Sequence, residues 1–151
     1  MLPFIFKRIG DNEMKDIEKK ILYKDMEYTV VFNLNVMESI QSEYGSLDEW
    51  VEMIDGTENA KKKYKEKHGS LDGFDDSDEK DGEPNLKALI DGYYIMLNEG
   101  IEISNDEKGT SIKPLTHKQV GRILTEIGFE NAQKKLGVLM SESTESNEKN
   151  E

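Results

Sequence analysis

Apolar and polar residues alternate from Tyr28 to Leu34 and then change rhythm, and the rest of the chain is organised around that change. Tyr28, Val30, Phe32 and Leu34 point one way and Thr29, Val31 and Asn33 the other, which predicts a half-buried strand rich in β-branched and aromatic residues. Asn35 then reads as a helix N-cap with Glu38 as its capping partner. Val36, Met37, Ile40 and Tyr44 follow at helical spacing. Upstream, Ile21-Leu22-Tyr23 forms a second strand-like run across the polar gap Lys24–Glu27, so a β-hairpin is expected, with a turn that lacks glycine. A lone hairpin is marginal in water, so helices must cover one of its faces.

Four more amphipathic segments can supply that cover. Gly45 stops the first helix, and Ser46-Leu-Asp-Glu49 opens a second through a capping box, with Leu47, Trp50, Val51 and Ile54 on one face. Trp50 is read first as a core residue, with an exposed anchor for a partner as the sharper alternative. Pro84 is placed in the first turn of a helix carrying Leu86, Leu89, Ile90, Tyr93, Met96 and Leu97, stopped by Gly100. Burying six such side chains is worth about 9–18 kcal/mol before chain entropy is counted, so this stripe is expected to be the centre of the core rather than a groove. Ile101–Pro114 reads as a polar connection, a loose hairpin tipped by Asn105–Gly109. Thr116 with Gln119 caps a helix bearing Val120, Ile123, Leu124 and Ile127. Gly128 ends it, and Phe129, Ala132, Leu136, Leu139 and Met140 make the last helix. The expected fold class is α+β and predominantly α-helical: an N-terminal β-hairpin packed against about five helices. No internal repeat is visible.

Charge changes the picture between and beyond these elements. The formal net charge is −12 over 151 residues, 34% of them charged. A chain so acidic is a poor nucleic-acid binder, because phosphate contacts need clustered Lys and Arg. Acidity of this kind keeps a protein soluble while it holds an apolar partner, or serves solubility alone. A lysine run over residues 61–67 is followed by LDGFDDSDEKDGE, and residues 69–83 are read as a mobile acidic loop with too little apolar surface to offset ordering entropy. Aligned on Gly82 as an EF-hand glycine, this loop puts Ala88 where a bidentate glutamate is required, so it does not form a calcium site. Residues 141–151 are polar throughout and are expected to be a disordered tail. Met14 reads as a natural beginning, which makes residues 1–13 a leader from an upstream start; the alternative is an arm whose Phe4, Ile5 and Phe6 pack on the domain. The domain itself is placed at residues 14–140.

Candidate chemistry is sparse. Without cysteine there is no disulfide, thiolate metal site or cysteine nucleophile. His68 and His117 have no orienting partner in sequence and are read as solvated. There is no G-x-S-x-G, H-E-x-x-H, phosphate loop or G-x-G-x-x-G, so no catalytic residue, metal ligand or cofactor is assigned and a non-enzymatic role is expected. No apolar run reaches the length of a signal-peptide core or a membrane span, which suggests a cytoplasmic protein without a membrane partner.

The succession YTVVFNLNVMESIQSEYGSLDEW, EPNLKALIDGYYIMLNEGIEI and LTHKQVGRILTEIG resembles the tail assembly chaperones of long-tailed phages and prophages of Gram-positive bacteria, over about 100 residues with 59–83 as the divergent interval. The resemblance implies a protein that binds the long helical tape measure protein, keeps it soluble and helps recruit tail tube protein. It would act in the host cell cytoplasm, self-associate in some settings, be absent from the mature virion, and be extended by a frameshift near its C-terminus. Client contacts are expected at Tyr44, Trp50, Tyr93 and Tyr94, whose large amphipathic rings carry interface energy. Two other readings compete: an acidic inhibitor or DNA mimic occupying a basic groove of a host protein, and a small structural tail component.

Overall fold

The computed structural model describes residues 19–150, so the expectations for residues 1–13 lie outside them. Two short strands, β1 (Lys20–Tyr23) and β2 (Met26–Thr29), form an antiparallel hairpin in which Ile21 faces Tyr28 and Tyr23 faces Met26. The turn is two residues long. Lys24 and Asp25 both take positive φ, 49° and 65°, the geometry that suits the right-handed twist of the strands. Six helices follow: α1 (Leu34–Tyr44), α2 (Leu47–Asp55), α3 (Thr57–His68), α4 (Leu86–Lys108), α5 (His117–Ile127) and α6 (Phe129–Asn150). The fold is mostly helical with a small β component, as the apolar periodicity predicts.

α4 is the axis. Its Leu89, Tyr93, Met96, Leu97 and Ile101 are buried together with Val36 and Ile40 of α1, Trp50 and Ile54 of α2, and Val120, Ile123 and Leu124 of α5. Ala132, Leu136 and Leu139 of α6 close one side, and Ile21 and Val30 bring the hairpin onto the same core.

Several expectations are corrected. The second strand stops at Thr29, and the cap of α1 lies two residues before the expected one: Asn33, not Asn35, accepts from the Val36 N–H at 3.0 Å. Leu34 is consequently left 77% exposed on the first turn instead of facing the core from a strand. Gly100 does not stop α4. A Cβ at that position would collide with the Thr29 carbonyl, so glycine is what lets β2 lie directly on the helix, and packing overrides its helix-breaking tendency. The helix runs on to Lys108 and ends at Gly109, φ 71°. Ile101–Pro114 is therefore not a hairpin: its first half is the end of α4 and the rest is an irregular stretch. Asn98 and Asn105 on α4 each pair through both polar atoms of the side-chain amide, Asn98 with the backbone of Leu115 and Asn105 with that of Ile112. Pro84 precedes α4, whose cap is Asn85.

α3 is the helix the sequence pattern did not reveal, because only Thr57 and Ala60 of its residues are buried and no apolar stripe marks it. It is built from good helix formers and carries a Glu58–Lys62 pair one turn apart at 3.0 Å. The acidic segment 69–83 is not a free loop but folds back along this helix. Tyr64 donates to the Asp72 carbonyl at 2.7 Å, Lys63 to that of Asp81 at 2.9 Å, and Asn59 to that of Glu83 at 2.6 Å. Asp75 accepts from the backbone and hydroxyl of Ser77, which opens a short 3₁₀ turn at Asp78–Asp81, and these bonds hold its carboxyl below the usual range. Finally, the polar residues from Ser141 onward, expected to be without structure, continue α6 to Asn150. They are mostly serine, glutamate, asparagine and lysine, with no Gly or Pro to break the helix.

A candidate binding trough around Asp91

Asp91 interrupts the apolar stripe of α4, and the fold surrounds it with partners. It is only 4% exposed. Lys87, one turn earlier on α4, donates to its Oδ2 at 2.7 Å, and the Tyr44 hydroxyl at the end of α1 donates to the same oxygen. His117, the first residue of α5, places Nε2 3.1 Å from Oδ1. One buried carboxylate therefore ties together three helices. Burial by itself pushes the Asp91 carboxyl up, but the Lys87 and Tyr44 hydrogen bonds and the charges of Lys87 and His117 outweigh it and hold the group below the usual carboxylate range. Burial, then the adjoining Asp91 carboxylate, pushes the Tyr44 phenol well above its ordinary range, so Tyr44 stays neutral and remains a donor. The hydrogen bond to Asp91 likewise raises Lys87.

Lys87, Asp91 and His117 form the wall of a trough of about 690 Å³ between α1, α4 and α5. Ile90 and Gly121 give it an apolar floor, and Glu43, Lys87 and Lys118 stand on its rim. Tyr94 lies beside it, its ring stacked on that of His117 with centroids 3.8 Å apart. The capping box that starts α5 fixes this end of the trough: Thr116 accepts from the Gln119 N–H at 3.2 Å, and the Gln119 side chain accepts from the Thr116 N–H at 2.8 Å. A second, smaller opening of about 370 Å³ lies between α2 and α6, lined by Val51, Ile54, Leu136 and Met140 around Gly137.

The four rings expected to meet a partner separate into two pairs. Tyr44 and Tyr94 stand behind the trough wall, one hydrogen-bonded to Asp91 and the other stacked on His117. Trp50 and Tyr93 are fully buried, which takes them off the surface: Trp50 Nε1 donates to the Ala88 carbonyl at 3.0 Å and the Tyr93 hydroxyl to that of Ala132 at 2.7 Å. Both rings can be enclosed because a backbone carbonyl satisfies the single polar atom of each. His117 has the orienting partner that sequence reading did not find. A signal existed: an aspartate inside an apolar stripe, four residues after a lysine, is a group the fold must pair. Its partners on α1 and α5 are distant in sequence and become visible only when the helices pack.

Among the described residues, no group of three or more His, Asp or Glu is placed to hold a metal ion. Oriented His–Asp pairs can serve acid–base chemistry, but Asp91 already has a partner on each oxygen and its strongest partners are structural. What the arrangement does chemically is fix the Lys87 ammonium beside an apolar floor. The chain matches no protein-family model, and no curated protein or solved structure is significantly similar to it.

Proposed function

We propose that this chain is a non-enzymatic binding protein, a phage tail assembly chaperone that holds the tape measure protein in soluble form and helps recruit tail tube subunits. The observation that carries this reading is the trough: an apolar floor open to solvent, walled by helices, on a body with net charge −12. An apolar helical client laid on such a surface leaves the complex charged and soluble. The order of elements supports the same reading, since the three resembling stretches contain α1 and α2, α4, and α5, and of these α1, α4 and α5 line the trough. No described helix is long and apolar enough to cross a membrane; on this reading the protein works in the host cytoplasm and is absent from the finished particle. The acidic segment lies along its own lysine-bearing helix, which gives the DNA-mimic alternative less support.

Co-expression with a tape measure protein of a long-tailed phage is the test. The client is expected to move from the insoluble to the soluble fraction and to co-purify with this chain. A client equally insoluble with and without the chain, or soluble without binding it, would overturn the reading.

A further inference from the structure

Resting on the binding role proposed above, we infer that the trough selects its partner by charge: it takes an amphipathic helix whose apolar ridge is flanked by Asp or Glu. The shape argument comes from the two long walls. Lys87, Ile90 and Asp91 on α4 and His117, Lys118 and Gly121 on α5 are spaced three and four residues apart, so two helical ridges stand beside one valley, and the ridge of a third helix fits between them. Gly121 leaves room for the incoming side chain. A Cβ placed there would meet only Ile90 Cδ1, at 3.9 Å.

The charge argument comes from the rim. The molecule carries 12 excess negative charges, yet Lys118 and Arg122, one turn apart on α5, are exposed and have no ion pair among the described residues. Lys87 adds a third cation. Glu43 stands 3.8 Å from it, but the Lys87 side chain is still 75% exposed and keeps donor capacity toward the valley. Its position is set in advance by the buried carboxylate of Asp91, so little side-chain freedom remains to be lost on binding. The lysines of α3 stand on a helix with no apolar stripe; in the trough, cations on both walls, Lys87 and Lys118, flank an apolar floor, which is the arrangement that an apolar ridge bordered by acids fits.

The test uses the full chain and two synthetic helical peptides with the same leucine ridge, one flanked by glutamate and the other by lysine, followed by fluorescence anisotropy. The glutamate peptide is expected to bind at least about tenfold tighter than the lysine peptide. Gly121→Leu, which fills the valley at a site with open space, should abolish that binding. Gly137→Leu, which fills the opening between α2 and α6, should leave it unchanged. Lys118→Glu, a favourable residue in the first turn of a helix, should remove or reverse the preference. Equal binding of the two peptides, binding indifferent to Gly121→Leu, or no binding of the glutamate peptide would overturn the inference. The chaperone reading fails or stands separately: if Gly121→Leu solubilises the tape measure protein as well as the parent chain does, only the trough assignment falls. If the glutamate peptide binds and the tape measure protein is not held, only the chaperone reading falls.

Discussion

Asp91 shows how one residue can set the relation between helices. Its charged form is the stabilised one, held below the usual carboxylate range by Lys87, Tyr44 and His117. A carboxyl lowered in the folded state contributes stability above its unfolded value of about 3.9, and that contribution disappears as pH falls through the lower native value. Asp91→Asn keeps the shape but not the charge. It is expected to cost about 1–3 kcal/mol at pH 7, and the difference from the parent should start to shrink below about pH 4 and vanish only once pH has fallen through the lower native value, where both side chains are neutral. Denaturant unfolding at a series of pH values reads this directly; a pH-independent difference would show that charge is not what Asp91 contributes. Two glycines make a contrasting pair. A Cβ on Gly92 would drive into the ring of Trp50, which is fully buried and cannot retreat, whereas a Cβ on Gly137 meets nothing within 4 Å. Helix propensity favours alanine by up to about 1 kcal/mol at either position. Overpacking costs about 1–3 kcal/mol and wins at the first. Gly92→Ala should therefore lower the unfolding midpoint and Gly137→Ala raise it; a shift of the same sign in both would contradict the packing.

Elements begin and end here where tertiary contacts allow, and two boundaries show the competition. At the start of α1, Asn33 and Asn35 are both candidate caps, and Asn35 has the better local pattern because Glu38 follows it. The structure gives the cap to Asn33, and both amides donate to Glu99 Oε2 of α4, at 2.7 Å and 3.0 Å. Loss of a cap costs about 1–2 kcal/mol, whereas an exposed side chain inside a helix costs about 0.5 kcal/mol or less. Asn33→Ala should thus destabilise clearly and Asn35→Ala little, as read by thermal unfolding; the opposite order would return the cap to Asn35. On α4, Gly100 is passed over because docking β2 against it buries Ile101 and Val30, a larger effect than the glycine's backbone entropy.

For the molecule as a whole, the central helix is wrapped by α1, α2, α5, α6 and the hairpin, while α3 and the acidic segment form a polar appendage beside them. Function is proposed where three helices leave a valley, and not in the acidic segment 69–83. The amphipathic helices were legible from the chain because burying apolar faces is a local pattern with a fixed period: α1, α2, α4, α5 and α6 all follow from it, as does the existence of the hairpin. The Thr116–Gln119 box was legible for the same reason, since its partners are three residues apart. What no local pattern contains is the arrival of Tyr44 and His117 at the Lys87–Asp91 pair, the enclosure of Trp50 and Tyr93, or the amide clasps of Asn98 and Asn105. Sequence by itself determined which faces must be hidden from water. Only the tertiary structure decided which polar groups are hidden with them, because a buried carboxylate or ring is tolerated only where distant elements bring it a partner.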